Sequence, residues 1–209
     1  MKCGQPARRW RKKVSELEKS RLIAENLAVA LVHHPVSDKQ GKEVTSSVTT
    51  IDVHDFARTC RTYGIANLYI ITPLATQRRL VERLSTHWME GYGAAYNPSR
   101  KEALGCVKVV DTIDDMVDNF SFRGGAVKLA ATGAKSSGPV MDYGAARDYL
   151  SQCGRAALLF GTGHGLAKSV MDRADVRLAP IEGLKDGFNH LPVRCAAAII
   201  MDRLLGSRA

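Results

Sequence analysis

The feature that most constrains this chain is a series of short runs that are apolar on consecutive residues rather than on alternate ones. Leu27 to Val32, Leu68 to Thr72, Val107 to Val110, Ala126 to Ala131 and Ala156 to Phe160 make up the series, with a weaker sixth run at Val176 to Pro180. A strand with one face in water alternates apolar and polar residues, so a run that is apolar throughout needs cover on both faces. Segments of helix length separate the runs, the order that successive βα units produce. The pattern predicts an α/β fold, a mostly parallel sheet with helices on both faces.

Between the runs, Asp52 to Tyr63 reads as a helix with Phe56 and Cys60 one turn apart, and Thr76 to Trp88 puts Leu80, Val81, Leu84 and Trp88 on one stripe. Asp111 to Asn119, opened by the cap-like Asp111, and Tyr143 to Cys153 are shorter candidates. Pro192 to Leu205 begins with a proline tolerated in a first turn and ends before Gly206, a natural C-cap. Its Ala196 to Ile200 interior is apolar nearly all round, which predicts burial on several sides, against the sheet and a second subunit. The connections His33 to Thr50 and Glu90 to Gly105 read as long polar and glycine-containing loops, a length more often functional than idle.

The 209 residues are 45% apolar, enough for a real core, and carry 30 Lys and Arg against 21 acids, a formal charge of +9. Such a balance favours a polyanionic partner, most simply a nucleic acid, while 6% aromatics argues against extensive base stacking. Residues 1–26 hold eight of the basic residues and three acids, +5 of the total, on a thin apolar face; they read as a basic N-terminal extension, either a solvated tail or an RNA-contacting arm. Cys3, Cys60, Cys106, Cys153 and Cys195 are odd in number and widely spaced, without a CxxC pair or a histidine at zinc-ligand spacing, so reduced thiols and a cytoplasmic location are expected. No apolar run reaches the roughly 18 residues of a membrane span.

The sharpest local motif is Phe160-Gly161-Thr162-Gly163-His164-Gly165-Leu166, between an apolar run and a helix candidate. Three glycines in five residues let main-chain amides and carbonyls approach a ligand without Cβ interference. A dinucleotide loop is the obvious comparison, but GxGxxG is not met and the loop follows the fifth run rather than the first. A plain glycine turn also fits this loop taken alone. Downstream come Ala179-Pro180-Ile181-Glu182-Gly183 and then Gly187-Phe188-Asn189-His190-Leu191-Pro192-Val193-Arg194, leading into the last helix candidate.

Together the three clusters resemble the C-terminal signature of the SPOUT superfamily, the knotted S-adenosylmethionine-dependent RNA methyltransferases, and most closely a bacterial single-domain subfamily related to SpoU/TrmH-type ribose methyltransferases. The earlier chain is similar as well. Thr45 to Gly64 resembles the first SpoU motif, with Arg58 and Gly64 at the motif's spacing and Asp52 where its asparagine would stand. The resemblance runs from about Leu27 to Gly206, giving a basic extension over 1–26 and a SPOUT methyltransferase domain over 27–209.

What the resemblance implies is a deep C-terminal trefoil knot, a homodimer, and S-adenosyl-L-methionine held by main-chain groups in three loops. The cofactor-binding residues it implies are Thr132 and Gly133 in the first loop, and Phe160, Gly161, Gly163 and His164 in the second. In the third they are Ile181, Glu182, Gly183, Asn189, Leu191 and Val193. Arg58 is the implied catalytic residue, positioning the ribose-phosphate and sharpening the hydroxyl; on sequence alone a surface arginine paired with Asp55 is the preferred reading, and the motif context reverses that preference. Asn189 or His190 takes the place of the motif asparagine in the catalytic set, according to register, and Asn189 also fits as a helix cap. The implied activity is methylation of RNA, a tRNA ribose 2'-hydroxyl. An RNA-binding module with little turnover and a guanine-N1 methyltransferase are the alternatives; the latter branch uses an aspartate in a C-terminal extension, and this chain ends at Ala209. Pro192 and the absence of a glutamate from Gly161-Thr162-Gly163 depart from the SpoU pattern. No metal ligand set is expected.

Overall fold

A computed structural model describes residues 15–121, 125–135, 138–185 and 188–206. In chain order these residues form α1 (Glu16–Glu25), β1 (Leu27–Val32), the short hairpin strands β2 (Val36–Ser37) and β3 (Glu43–Val44), and α2 (Thr50–Thr62). Then come β4 (Asn67–Ile71), α3 (Ala75–Met89), α4 (Tyr92–Tyr96), α5 (Pro98–Leu104), β5 (Val107–Val110) and α6 (Ile113–Phe120). The last part holds β6 (Val127–Ala131), α7 (Tyr143–Gln152), β7 (Arg155–Gly161), α8 (Lys168–Arg173), β8 (Val176–Arg177) and α9 (Val193–Leu205). Six strands pair in parallel in the order β5-β4-β1-β7-β6-β8.

β1 is buried at every position, as a strand covered on both faces must be. Leu27, Val29 and Leu31 face a cluster with Phe56, Ala57 and Cys60 of α2 and Ala197, Met201 and Leu204 of α9. Ala28, Ala30 and Val32 face the opposite cluster, with Ile113, Met116 and Phe120 of α6 and Val170 of α8. The chain lays β4 and β5 on one side of β1 and β7, β6 and β8 on the other, so the strand order reverses at β1. In open α/β sheets, ligands bind beyond the carboxyl ends of the strands at such a reversal.

Several expected boundaries shift for local reasons. α2 begins at Thr50 because Thr49 is its N-cap, its Oγ1 accepting from the Asp52 amide at 3.2 Å. α6 is opened by Thr112 in a capping box with Asp115, while Asp111 pairs with Arg78 at 2.9 Å instead of capping. Gly206 does cap α9, but at φ −61° rather than in the left-handed region. The expected loop Glu90 to Gly105 contains α4 and α5; Asn97 caps α5, accepting from the Arg100 amide at 3.0 Å, and Pro98 sits in the first turn. The connection after β1 holds the β2–β3 hairpin, which Asp38 closes by accepting from the Gln40 and Lys42 amides.

Residues 1–14 of the basic extension lie outside the described residues. Residues 16–25 are more than a solvated tail: Ile23 and Ala24 of α1 are buried in the core. The buried guanidinium of Arg147 on α7 donates to Glu16 (2.8 Å), to Ser20 (3.4 Å) and to the Leu204 carbonyl, clasping α1 to α9.

Candidate active site

Adjacent parallel strands bring three loops together at the carboxyl edge of the sheet: 132–135 after β6, 161–166 after β7 and 178–192 after β8. In each, some amides have no use inside the protein. Those of Gly133, Gly163, Ile181 and Gly183 donate to nothing among the described residues, leaving main-chain donors from all three loops for a ligand. This arrangement fits the backbone recognition of a nucleoside expected from the sequence.

The glycine loop is held more firmly than its composition suggests. Its Thr162 and His164 amides donate to the Val32 and Ser37 carbonyls at 3.2 Å, and the Ser37 amide returns a bond to the Gly165 carbonyl at 2.9 Å. A Cβ on Gly161 would run into the main chain of Gly165 and Leu166, and Gly163 and Gly165 sit at φ +61° and +100°. The loop therefore turns as tightly as glycine allows and is stitched to the segment after β1. The Phe160 side chain does not line the loop; it is buried edge-on against Phe56, at 5.5 Å between ring centroids. His164 is exposed.

Thr132 is buried and spends its hydroxyl on the Leu159 carbonyl at 2.9 Å, so it fixes the first loop instead of offering that group to a ligand. The third loop closes on the first through Asn189, whose Nδ2 donates to the Ala134 carbonyl at 2.9 Å. His190 is exposed and lies edge-on to Phe188 at 5.2 Å. Asn189 is not a helix cap, because Pro192 holds the N-cap position of α9 without a side-chain bond. Ile181 and Val193 are half-buried against the core, and Glu182, Gly183 and Leu191 are exposed. Gly187 lies outside the described residues.

The flank formed by α2 is built from charged side chains. Asp52, buried at the first turn of α2, accepts from Thr49 Oγ1 at 2.6 Å and pairs with Arg194 Nη1 at 3.3 Å. Arg194, on the first turn of α9, also reaches Asp55 through Nε at 3.4 Å. Asp55 is thereby engaged by α9 instead of by Arg58, and Arg58 is exposed with no carboxylate partner among the described residues. Arg194 also accounts for the acid at the motif's asparagine position: a buried carboxylate needs a counter-charge. Sequence reading missed Arg194, whose role depends on a partner more than a hundred residues away.

A polar chain joins this flank to the glycine loop. His33, fully buried at the end of β1, meets Ser46 Oγ through Nδ1 at 3.1 Å; Ser46 Oγ bonds Thr162 Oγ1, which donates to the Val32 carbonyl at 3.0 Å. Burial holds the His33 imidazole down to about 4, against a weaker opposing pull from the Asp52 carboxylate. The ring is neutral near pH 7, and its Nε2 has no hydrogen-bond partner among the described residues.

The family described as SAM-dependent RNA methyltransferase matches residues 26–206, nearly the whole chain. The chain belongs to that family. It is 38% identical over 185 residues to an uncharacterised protein of Aquifex aeolicus, covering 88% of this chain and 90% of that one. It is 45% identical over 183 residues to a tRNA (guanine-N(1)-)-methyltransferase of Nitratidesulfovibrio vulgaris, covering 87% of this chain but 42% of that protein. The chain thus spans less than half of that longer relative, whose name describes the whole. Its fold is shared with a methylase family protein from Neisseria gonorrhoeae (17% identity, TM-score 0.58, 88% of this chain and 83% of that one). TrmJ from Z. mobilis is similar too (17% identity, TM-score 0.56, 87% and 69%). At these identities the likeness is one of fold; the family that matches the sequence is described as SAM-dependent. No helix among the described residues is long and apolar enough to cross a membrane.

Proposed function

We propose that this methyltransferase modifies a ribose 2'-hydroxyl of a tRNA, with Arg58 as the residue that engages the reacting nucleotide. The observation that carries this reading is the charge arrangement on α2. Arg194 occupies Asp55, the one carboxylate a turn from Arg58, so the Arg58 guanidinium stands exposed for a phosphate or a hydroxyl. A guanidinium binds a phosphate oxygen pair bidentately and stays charged throughout, which suits positioning and charge stabilisation better than proton removal.

S-adenosylmethionine, when bound, supplies the methyl group from its sulfonium. The chain's contribution is orientation. The amides of Gly133, Gly163, Ile181 and Gly183 would hold the cofactor's polar edges, Asn189 sets the spacing of two loops by bonding Ala134, and Arg58 holds the nucleotide. Placement of two reactants in line is worth up to roughly 7–11 kcal/mol, which leaves little for a strong base to add. The knotted C terminus, the homodimer and the RNA-contacting basic extension belong to the same reading.

Calorimetric titration with S-adenosylmethionine tests the cofactor site, and nucleoside mass spectrometry of tRNA from a deletion strain tests the product. A missing 2'-O-methyl nucleoside supports the proposal. A missing 1-methylguanosine would transfer to this chain the reaction in its longer relative's name, and no missing methyl nucleoside with no cofactor binding would remove the enzymatic reading.

A further inference from the structure

α4 and α5 fill a connection that a βα unit does not need; α5 packs on α2, the helix that carries Arg58, and α4 packs on α3 and α5. Along α2, His54, Arg58 and Arg61 share one stripe at helical spacing. His54 stands edge-on to Trp88 at 5.5 Å, the Arg100 guanidinium of α5 covers the Trp88 ring at 4.5 Å, and Arg61 pairs with Glu102 of α5. Arg58 lies between the two contacts. Burial, then the charge of Arg100, and more weakly that of Arg58, lower the His54 pKa against the opposing pull of Asp55. Neither arginine has an anionic partner among the described residues.

On the neighbouring helix α4, Tyr92 and Tyr96 are 77% and 72% exposed and stack on each other, at 5.9 Å and 23° between planes. Gly93 between them is buried against Trp88, where a Cβ would collide with the indole, so the helix is seated through its glycine and turns its tyrosines outward. Two tyrosine rings in water are costly apolar surface unless they have a partner. A rigid aromatic pair beside unpaired guanidiniums matches the elements of single-stranded RNA recognition, a ring for the base and a positive charge for the backbone.

We propose that α4 and α5 form an RNA docking surface on which an unpaired base flanking the methylated nucleotide stacks on the Tyr92–Tyr96 pair while Arg100 meets the adjoining phosphate. RNA is favoured over a second copy of the chain as occupant because the family is described as RNA methyltransferase and α5, packed on α4, carries the Arg100 guanidinium, which has no anionic partner among the described residues. The position of the flanking base rests on the reading of Arg58 given above.

Fluorescence anisotropy with a labelled short oligoadenylate, single-stranded and paired with its complement, tests this on the full chain. The double variant Tyr92→Ala/Tyr96→Ala is expected to bind the single strand about 10-fold more weakly and the duplex within about 2-fold of the parent, with the salt slope unchanged. Tyr92→Phe/Tyr96→Phe, which keeps the rings, is expected to retain single-strand affinity, and Arg100→Gln to reduce the salt slope by about one. Unchanged single-strand affinity in the alanine variant overturns the proposal. So does a shift of sedimentation coefficient in that variant with RNA affinity intact, which would give the surface to a second copy. Failure of Arg58→Ala to reduce methylation would sink the Arg58 reading while leaving these affinities to decide the docking surface.

Discussion

The two sides of the sheet's carboxyl edge are made from different material. Around β6, β7 and β8, the groups offered to a ligand are main-chain amides, and the side chains there are mostly spent: Thr132 on the Leu159 carbonyl, Asn189 on the Ala134 carbonyl, Phe160 in the core. Around α2 and α5, the groups offered are side chains, Arg58 and Arg100, held ready by the pairing of their neighbours. Main-chain recognition depends on the path of the chain, so one extra methyl that moves the path does more harm than the loss of a side chain. Side-chain recognition depends on which charges are left unpaired, and a remote ion pair can decide that.

Arg58→Ala breaks the comparison most directly. Methylation is expected to fall about 100- to 1000-fold, the range for a lost electrostatic stabiliser, with cofactor affinity within about 2-fold by calorimetry. A comparable loss of cofactor affinity would mean that the two sides are one site. Gly161→Ala attacks the other side: its Cβ would meet the Gly165–Leu166 main chain, and about 3 kcal/mol of unfolding free energy should disappear in a urea titration, together with cofactor binding.

The buried His33 between the two sides gives a pH signature. Its folded pKa of about 4 lies below the ordinary 6.5, so the unfolded chain takes up a proton first as pH falls. The associated stability is complete above about pH 6.5 and is lost on acidification towards pH 4, on the order of 3 kcal/mol in all. Urea titrations across that window should show the slope, and His33→Phe should flatten it. The smallest effect sharpens the comparison furthest. Arg194→Met, made together with Asp52→Asn so that no buried carboxylate loses its counter-charge, frees Asp55 to pair with Arg58 and should lower methylation about 10-fold, with cofactor affinity kept. Adding Asp55→Asn should recover the activity, a rescue that a purely structural role for Arg194 would not give.

What was legible in the sequence followed the same division. The runs of β1, β4 and β7 stand out because burial on both faces leaves little room for polar residues, whereas the edge strand β5 is only half-buried and carries Lys108; the glycine loop was visible because its φ values and close approaches exclude other residues. α4 and α5 both lie in what reads as a loop: five residues around a glycine carry no periodicity, and α5 is only seven residues long, too short for its Asn97-Pro98 start to stand out. The ion pairs of Arg194 and the clasp at Arg147 were out of reach, since nothing local in the sequence says which distant carboxylate or carbonyl a guanidinium will meet. α1 was underrated for the same reason: its apolar face is thin, and its hold on the domain comes from Arg147 on a helix far along the chain.

The central strand β1 has consequences for the order in which the molecule is made. Its partner β7 begins at Arg155, and α1 is locked only when Arg147 finds the Leu204 carbonyl near the end of the chain. β1 therefore waits for a partner made more than a hundred residues later, and long-range pairing of this kind makes for slow folding with apolar strands exposed meanwhile. A nascent chain stalled before Arg155 should be the form most in need of chaperones.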